Sequence, residues 1–251
     1  METNQQSFFY NRFYSMDSDP RDIFHFFEWL FAEKFSEKVL RIADVGCGTG
    51  RMIELFANAG HDVTGFEPDD YYFQEAKKLE SGKVRVLKKG FTGIDDENRY
   101  HAILAVNGPF EYLLTPDDRS LALRKMYRAL KPGGIVFLEV VNFLLILKNY
   151  KPEDDSAVES GNERVTRHVR HEFDFVKNTM RHFDHFERFL DGKKIEEADK
   201  LHEFGMFSLS ELEFLLRLNG FTGIETYNSY NSRSPEPVDN YKIRYCARKA
   251  E

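Results

Sequence analysis

A glycine-rich segment between a predicted strand and a predicted helix is the feature of this sequence most able to do chemistry. The stretch Asp44-Val-Gly-Cys-Gly-Thr-Gly begins at the end of a largely apolar run over 39–45. An amphipathic helical pattern then begins at Arg51. Glycine lets the backbone pass close to a ligand, and the first turn of a helix directs its N–H groups toward negative charge. The segment therefore predicts a site for a nucleotide-containing cofactor.

The spacing of the glycines bears on which cofactor this is. In the dinucleotide fingerprint G-x-G-x-x-G, the third glycine packs the helix against the strand. Counted from Gly46, that position is Arg51, whose side chain is too large for such packing. A nicotinamide-dependent oxidoreductase is therefore disfavoured, although it stays open as an alternative function.

The segment from Asp44 to Gly50 resembles the first motif of the class I S-adenosylmethionine-dependent methyltransferases. Three further features fit that family: Glu67 at the end of the second predicted strand, the turn Leu130-Lys-Pro-Gly-Gly, and two C-terminal strands. The resemblance runs from about residue 8 to the C-terminus, and it implies an enzyme that uses S-adenosyl-L-methionine. A non-catalytic relative that kept the fold is the other alternative, and the intact glycines and Glu67 argue against it.

The resemblance also implies which residues hold the cofactor. The glycine loop would approach its methionine end, Glu67 would bind the ribose hydroxyls, and Pro68 would flank the adenine. Phe91 would pack on the adenine ring, with Asp95 and Asp96 as the alternative adenine contacts. The expected cofactor-binding residues are Tyr14, Asp44, Gly46, Cys47, Gly48, Gly50, Glu67, Pro68, Gly90, Phe91 and Asn107.

The segment Asn107-Gly-Pro-Phe110 follows the fourth predicted strand, where a methyl acceptor would meet the cofactor. It resembles the Asn-Pro-Pro-Tyr/Phe motif of methyltransferases that act on planar amino nitrogens, but Gly108 replaces the first proline. The resemblance implies that Asn107 accepts hydrogens from the acceptor, or else lines the methionine end, and that Phe110 stacks on the acceptor. Tyr10, in an N-terminal segment resembling a lid, is a further expected acceptor contact.

Five of the eight histidines lie between residues 164 and 204. They do not predict a metal site, because residues three apart on a strand point to opposite faces. Arg167 and His171 share one face of the predicted strand 164–176, and we expect both to contact the acceptor unless they are solvated or paired across strands. An imidazole titrates near neutral pH, so His171 is also the candidate general base, with Asn107 as the other candidate catalytic residue.

The elements that must position these residues alternate as strand, helix, strand up to Val140. This alternation predicts an α/β fold with a doubly wound, seven-stranded, mostly parallel sheet of the Rossmann-like methyltransferase type. Polar residues over 148–164 predict a loop, and three extended stretches then predict an inserted antiparallel sheet, with Asp191-Gly192 at a hairpin turn. We expect a cofactor-binding domain over residues 1–148 plus 205–251, and a sheet over 149–204 that caps the substrate or forms a dimer.

Composition limits the classes of partner. The chain has 251 residues and a formal net charge of −7, which disfavours nucleic acid as a partner. It has no apolar run long enough to cross a membrane, no N-terminal pattern of a secretory signal and only two cysteines. We therefore expect a cytoplasmic enzyme, potentially a homodimer, that transfers a methyl group to nitrogen or oxygen of a small-molecule metabolite.

Overall fold

Strands and helices alternate through the first half of the chain, as the sequence predicts. The computed structural model describes residues 20–237 and 239–250. The helices in this part are α1 (Pro20–Lys34), α2 (Arg51–Asn58), α3 (Asp70–Lys77), α4 (Pro116–Ala129), α5 (Phe143–Lys148) and α6 (Leu209–Leu218). The strands are β1 (Arg41–Val45), β2 (Asp62–Phe66), β3 (Val84–Leu87), β4 (Tyr100–Ala105), β5 (Leu130–Val141), β6 (Glu153–Ser160), β7 (Glu163–Asp174), β8 (Thr179–Leu190), β9 (Lys193–Gly205), β10 (Phe221–Tyr227) and β11 (Lys242–Lys249).

The described residues form a central sheet of seven strands in the order β10-β11-β5-β4-β1-β2-β3. Neighbouring strands from β3 to β5 pair in parallel, and β11 pairs antiparallel with both β5 and β10. The predicted doubly wound, mostly parallel α/β fold is therefore confirmed. Strand order reverses between β1 and β4, and ligands of such sheets bind outside the carboxyl ends of the strands at that point.

Helix α1 covers one face of the central sheet. Proline at its first position and apolar residues at helical spacing explain why it forms, and the apolar side chains that it buries are Ile23, Phe26, Phe27, Leu30 and Phe31. Phe27 packs edge to face on Phe137 of β5, with ring centroids 4.8 Å apart. Much of the aromatic content of the sequence is therefore core.

The inserted sheet has four strands in the order β6-β7-β8-β9, all antiparallel to their neighbours. The prediction of a loop over 148–164 was wrong, because β6 spans Glu153–Ser160 there. That strand is an edge strand exposed along most of its length, so it lacks the alternation of apolar residues that marks a half-buried strand. The predicted division into two domains stays a prediction.

Candidate active site

A cavity of about 620 Å³ opens at the carboxyl ends of β1, β2 and β4. Its floor is made by loops of the central sheet and its roof by β9 of the inserted sheet. The described residues that line it are Pro20, Ile23, Asp44, Gly46, Cys47, Gly48, Thr49, Arg51, Met52, Glu67, Pro68, Asp69, Tyr72, Gly90, Phe91, Thr92, Val106, Asn107, Pro109, Tyr112, Leu113, Lys200, Leu201, His202 and Glu203. Most of the predicted cofactor residues therefore lie around one cavity.

The glycine loop between β1 and α2 needs glycine for two different reasons. Gly46 has φ +75°, and a Cβ there would lie 2.4 Å from the Cβ of Pro109. Gly48 has φ +56°, but a Cβ there would meet no protein atom within 4 Å. Gly46 is thus required by the fold, whereas Gly48 leaves space on the cavity side. Gly50 is buried and caps α2, so it supports the loop from outside the cavity lining.

Glu67 lies directly after β2 and faces the cavity with 6% of its surface exposed. Its Oε2 accepts a hydrogen bond from the backbone N–H of Gly48 (2.9 Å), and its Oε1 accepts one from that of Asp69 (3.0 Å). These bonds fix the carboxylate beside the glycine loop. Cys47 also lines the cavity.

Asp44 is the second-to-last residue of β1, and 3% of its surface is exposed. Burial first and the negative charge of Glu67 second raise the pKa of its carboxyl group from 3.8 to about 7. Two buried carboxyl groups at one cavity are suited to ligands that bring hydroxyl hydrogens or positive charge, since such ligands replace the lost hydration.

The side of the cavity beyond β3 is apolar. Phe91 begins a short 3-10 helix (Phe91–Gly93), lines the cavity together with Pro68 and Gly90, and is 6% exposed. Behind it lies Phe110, whose ring packs edge to face on Phe91 at 5.5 Å. Phe110 is fully buried and absent from the cavity lining, so the structure places it in the core.

Asn107 turns the chain after β4 in the left-handed region, with φ 65°. Asparagine tolerates this conformation better than most residues. Its backbone N–H donates to Oε2 of buried Glu139 (2.8 Å), and this carboxylate also accepts from Tyr230 (2.7 Å) and pairs with Arg244 (2.8 Å). A buried, paired carboxylate therefore holds the Asn107 loop at the cavity.

Residues on the roof of the cavity were not predicted from the sequence. The Tyr112 hydroxyl lies 2.5 Å from Nδ1 of His202, and Lys200 Nζ donates to the Tyr72 hydroxyl (3.0 Å). By contrast, Arg167 and His171 do not line the cavity. Arg167 pairs with Asp184 (2.6 Å), and His171 lies 2.9 Å from His182. Tyr10 and Tyr14 lie outside the described residues.

Comparison with known proteins shows a methyltransferase domain in this chain. Residues 42–134, which carry the glycine loop, Glu67 and the Asn107 loop, match the family model described as a methyltransferase domain. Residues 42–134 therefore form a methyltransferase domain, and the resemblance of the chain to the class I S-adenosylmethionine-dependent methyltransferases is confirmed. The predictions of the family, the fold and the enzyme class are therefore confirmed.

This methyltransferase is similar to proteins of several named activities. A ubiquinone biosynthesis O-methyltransferase of Pseudomonas savastanoi pv. phaseolicola is 35% identical over 104 residues, or 41% of this chain and 44% of that one. A dTDP-3-amino-3,4,6-trideoxy-alpha-D-glucopyranose N,N-dimethyltransferase of Streptomyces venezuelae is 25% identical over 180 residues, covering 68% and 71%. In fold it is similar to a crystal structure of an S-adenosylmethionine-dependent methyltransferase from Clostridium acetobutylicum, with a TM-score of 0.82, 16% identity and 99% of each chain covered.

The residues of the site fit S-adenosyl-L-methionine as the cofactor. The fit rests on the glycine loop with space beside Gly48, on the buried carboxyl groups of Asp44 and Glu67, and on the apolar wall at Phe91. None of the helices in the described part of the chain is long and apolar enough to span a membrane.

Proposed function

We propose that this methyltransferase transfers a methyl group from S-adenosyl-L-methionine to a nitrogen or oxygen atom of a small molecule. The observation that carries the proposal is the position of Glu67, a buried carboxylate held by the backbone of the glycine loop at the edge of a 620 Å³ cavity. A carboxylate can accept hydrogen bonds from two neighbouring hydroxyl groups, as a ribose presents.

The other cofactor contacts follow from the geometry around Glu67. Asp44 lies deeper along β1, where its carboxyl group suits the ammonium group of the methionine end. Gly48 leaves open space for the methionine end of the cofactor. Phe91 and Pro68 provide apolar surface for the adenine ring. We assign Asn107, at the far side of the glycine loop, to the boundary between cofactor and acceptor.

The bound cofactor supplies an electrophilic methyl group on a positively charged sulfur. The chain's own contribution is to hold the acceptor in line with that methyl group and to exclude water, which lowers the entropic part of the barrier by several kcal/mol. The inserted sheet provides the roof that makes such exclusion feasible, since β9 places Lys200 to Glu203 over the cavity.

The size of the cavity favours a small acceptor. Sites for small ligands commonly measure about 300–1,000 Å³, and this cavity must hold both cofactor and acceptor. The named activities of the two relatives, one on an amino sugar nucleotide and one in ubiquinone biosynthesis, support small-molecule acceptors with nitrogen or oxygen nucleophiles. The net charge of −7 is consistent with the absence of a nucleic acid substrate. A cytoplasmic location and a homodimer remain part of the proposal.

Calorimetric titration with S-adenosylhomocysteine tests the cofactor assignment. We expect micromolar binding to the wild type and at least tenfold weaker binding to Glu67→Gln, because hydrogen bonds to a charged group contribute about 1.5–3 kcal/mol. Glu97→Gln is the matched control, since Glu97 is an exposed carboxylate paired with Arg128 outside the cavity.

NADH and NADPH serve as competing ligands in the same titration. Failure of the wild type to bind S-adenosylhomocysteine would refute the proposed function. Binding of NADH instead would favour the oxidoreductase alternative, and binding that is unchanged in Glu67→Gln would refute the role given to this carboxylate.

A further inference from the structure

Three histidines form a row across the inserted sheet. His171 of β7 pairs in register with His182 of β8, and His182 pairs in register with His202 of β9. Their side chains point to the same face of the sheet, with ring centroids 4.7 Å apart for the first pair and 6.0 Å apart for the second. Of the three, only His202 reaches the cavity.

His202 lies between a cavity tyrosine and a buried carboxylate. Its Nδ1 is 2.5 Å from the Tyr112 hydroxyl, and its Nε2 is 3.7 Å from Oδ2 of Asp184. The side chain of Asp184 is fully buried, and that of His202 is 5% exposed. Tyr112 itself is 49% exposed and lines the cavity, so this series of contacts begins at the space for a substrate.

The carboxylate of Asp184 lies 3.7 Å from Nε2 of His202 and favours one protonation state of the ring, although the two atoms form no hydrogen bond. Arg167 donates to Oδ1 of Asp184 at 2.6 Å, and hydrogen bonding with His182 together with the Arg167 charge outweighs burial and lowers the pKa of Asp184. A carboxylate beside Nε2 favours a proton on that nitrogen, which leaves Nδ1 as a hydrogen-bond acceptor. With the proton on Nε2, the Tyr112 hydroxyl donates to Nδ1 of His202, and a hydroxyl oxygen that donates can also accept a hydrogen bond.

The groups around His202 keep its imidazole neutral. Burial lowers its pKa to about 3, and the charge of Lys200 on the same strand acts in the same direction, as do His182 and Arg167. Asp184 opposes these effects without reversing them. His202 thus acts as a neutral acceptor for the Tyr112 proton throughout the pH range in which the enzyme would work.

We propose that Tyr112, oriented by His202 and Asp184, is the residue that binds the acceptor atom, by accepting a hydrogen bond from its N–H or O–H group. This inference rests on the proposed function and names the acceptor class, a nucleophile that carries a proton. Tyr112 is the catalytic residue of the three, whereas His202 and Asp184 are positioning residues that act through it.

The path of the proton depends on the acceptor atom. When a hydroxyl oxygen forms its bond to the methyl carbon and the bond from that carbon to sulfur breaks, the electron pair of the broken bond stays on sulfur. The oxygen becomes strongly acidic, so its proton moves to the Tyr112 oxygen while the Tyr112 proton moves to Nδ1 of His202. The imidazolium formed lies beside the Asp184 carboxylate. A neutral amine instead keeps its proton as a methylated ammonium ion, and Tyr112 then only orients it.

The experiment measures transfer of a deuterated methyl group from S-adenosylmethionine, with mass spectrometry to locate the label. The probes are dTDP-3-amino-3,4,6-trideoxy-α-D-glucopyranose, its 3-hydroxy counterpart, and tyramine, which carries both an amine and a phenol. The variants are Tyr112→Phe, His202→Gln and His202→Phe. The matched control is Tyr241→Phe, because the Tyr241 hydroxyl accepts from Asn149 on the surface, outside the cavity.

The two acceptor atoms give different expected results. With a hydroxyl acceptor, we expect Tyr112→Phe and both His202 variants to lower kcat by about 100-fold, because a proton transfer is lost. With an amine acceptor, we expect Tyr112→Phe and His202→Phe to raise the KM of the acceptor by about tenfold with little change in kcat, since one hydrogen bond is lost. His202→Gln should then restore the KM, because its amide oxygen can accept the Tyr112 proton.

Each remaining outcome is also decisive. S-adenosylhomocysteine binding is measured first for every protein, and its absence in the wild type refutes the proposed function rather than this inference. If the wild type binds it but labels none of the probes, the assigned acceptor class is wrong. If Tyr112→Phe binds it and shows kcat and KM within twofold of Tyr241→Phe on a labelled probe, the role of Tyr112 is wrong.

Discussion

Replacing Asp44 with asparagine should stabilise the unliganded protein at alkaline pH and leave its stability unchanged at acid pH. Asp44 is 3% exposed, and its carboxyl pKa rises from 3.8 to about 7 because of burial first and of the Glu67 charge second. The folded state therefore holds a proton on this group that the unfolded chain releases at a lower pH. Asparagine has nearly the same shape and carries no charge at any pH.

The sign and size of the effect follow from linkage between protonation and folding. Between pH 3.8 and about 7 the folded state binds more protons than the unfolded state, so the stability due to Asp44 falls as pH rises and is constant above about 7. At 1.36 kcal/mol for each pKa unit, the loss amounts to about 4 kcal/mol at pH 8. Asp44→Asn removes this loss.

The assay is urea unfolding of wild type and Asp44→Asn at pH 4.5 and at pH 8, without ligand. Asp62→Asn provides the control, since Asp62 is an exposed residue at the other end of β2 from the cavity. We expect Asp44→Asn to exceed the wild type by several kcal/mol at pH 8 and by a small fraction of that at pH 4.5. An equal difference at the two pH values, or destabilisation at both, would refute the burial argument. The same variant should bind S-adenosylhomocysteine more weakly. The Asp44 carboxylate would then lower the free energy of unfolding while contributing to ligand affinity.

Three further predictions concern residues in and next to the loops beside the cavity. Gly46→Ala should lower thermal stability and S-adenosylhomocysteine affinity together, because its Cβ would overlap a neighbouring proline side chain at 2.4 Å. Gly48→Ala should weaken binding at least tenfold with only the smaller stability change due to its positive φ, since its Cβ would enter open space, and calorimetry with thermal denaturation distinguishes the two variants. Glu111→Gln should stabilise the protein much more at pH 9 than at pH 5.5 in urea unfolding, because burial raises the pKa of Glu111 from 4.5 to about 8 and its stability contribution is lost as pH rises through that range.

The gathering of the proposed cofactor residues around one cavity was predictable from the sequence because it depends on local geometry. Gly46, Gly48 and Glu67 each lie within a few residues of a strand end, and parallel strands bring their carboxyl ends to one edge of the sheet. The type of each element was therefore enough to place these residues together. No detail of strand register was needed.

The contacts of the proposed acceptor side were not predictable, because they depend on register between antiparallel strands. The hairpin at Asp191-Gly192 pairs Leu190 with Lys193, and this register would place His182 opposite Leu201. An irregularity between Arg188 and Phe189 shifts the pairing by one residue, so His182 faces His202 instead. A shift of one residue exchanges the faces of a strand, and no residue type at this point signals it.

The length of the turn between β7 and β8 likewise determines which residues of β8 lie opposite Arg167 and His171. The sequence predicted a strand reaching residue 176, whereas β7 ends at Asp174 and a four-residue turn follows. His171 consequently pairs with His182 rather than with residue 184. Both residues lie on the face of the sheet that carries His202, but on β7, two strands away from β9, where Arg167 pairs with Asp184 and His171 contacts His182.

A close backbone contact explains how a sheet inserted so far along the chain can orient a loop of the central sheet. Gly205 ends β9, and a Cβ there would lie 2.5 Å from the carbonyl oxygen of Leu113 and 2.7 Å from Nη1 of Arg119. Arg119 also donates to that carbonyl oxygen at 2.8 Å, so the segment next to Tyr112 is fixed to the end of β9. His202 lies three residues before Gly205 on the same strand. The distance between Tyr112 and His202 is therefore set by rigid backbone on both sides, which is the condition for a hydroxyl group to be oriented before an acceptor binds.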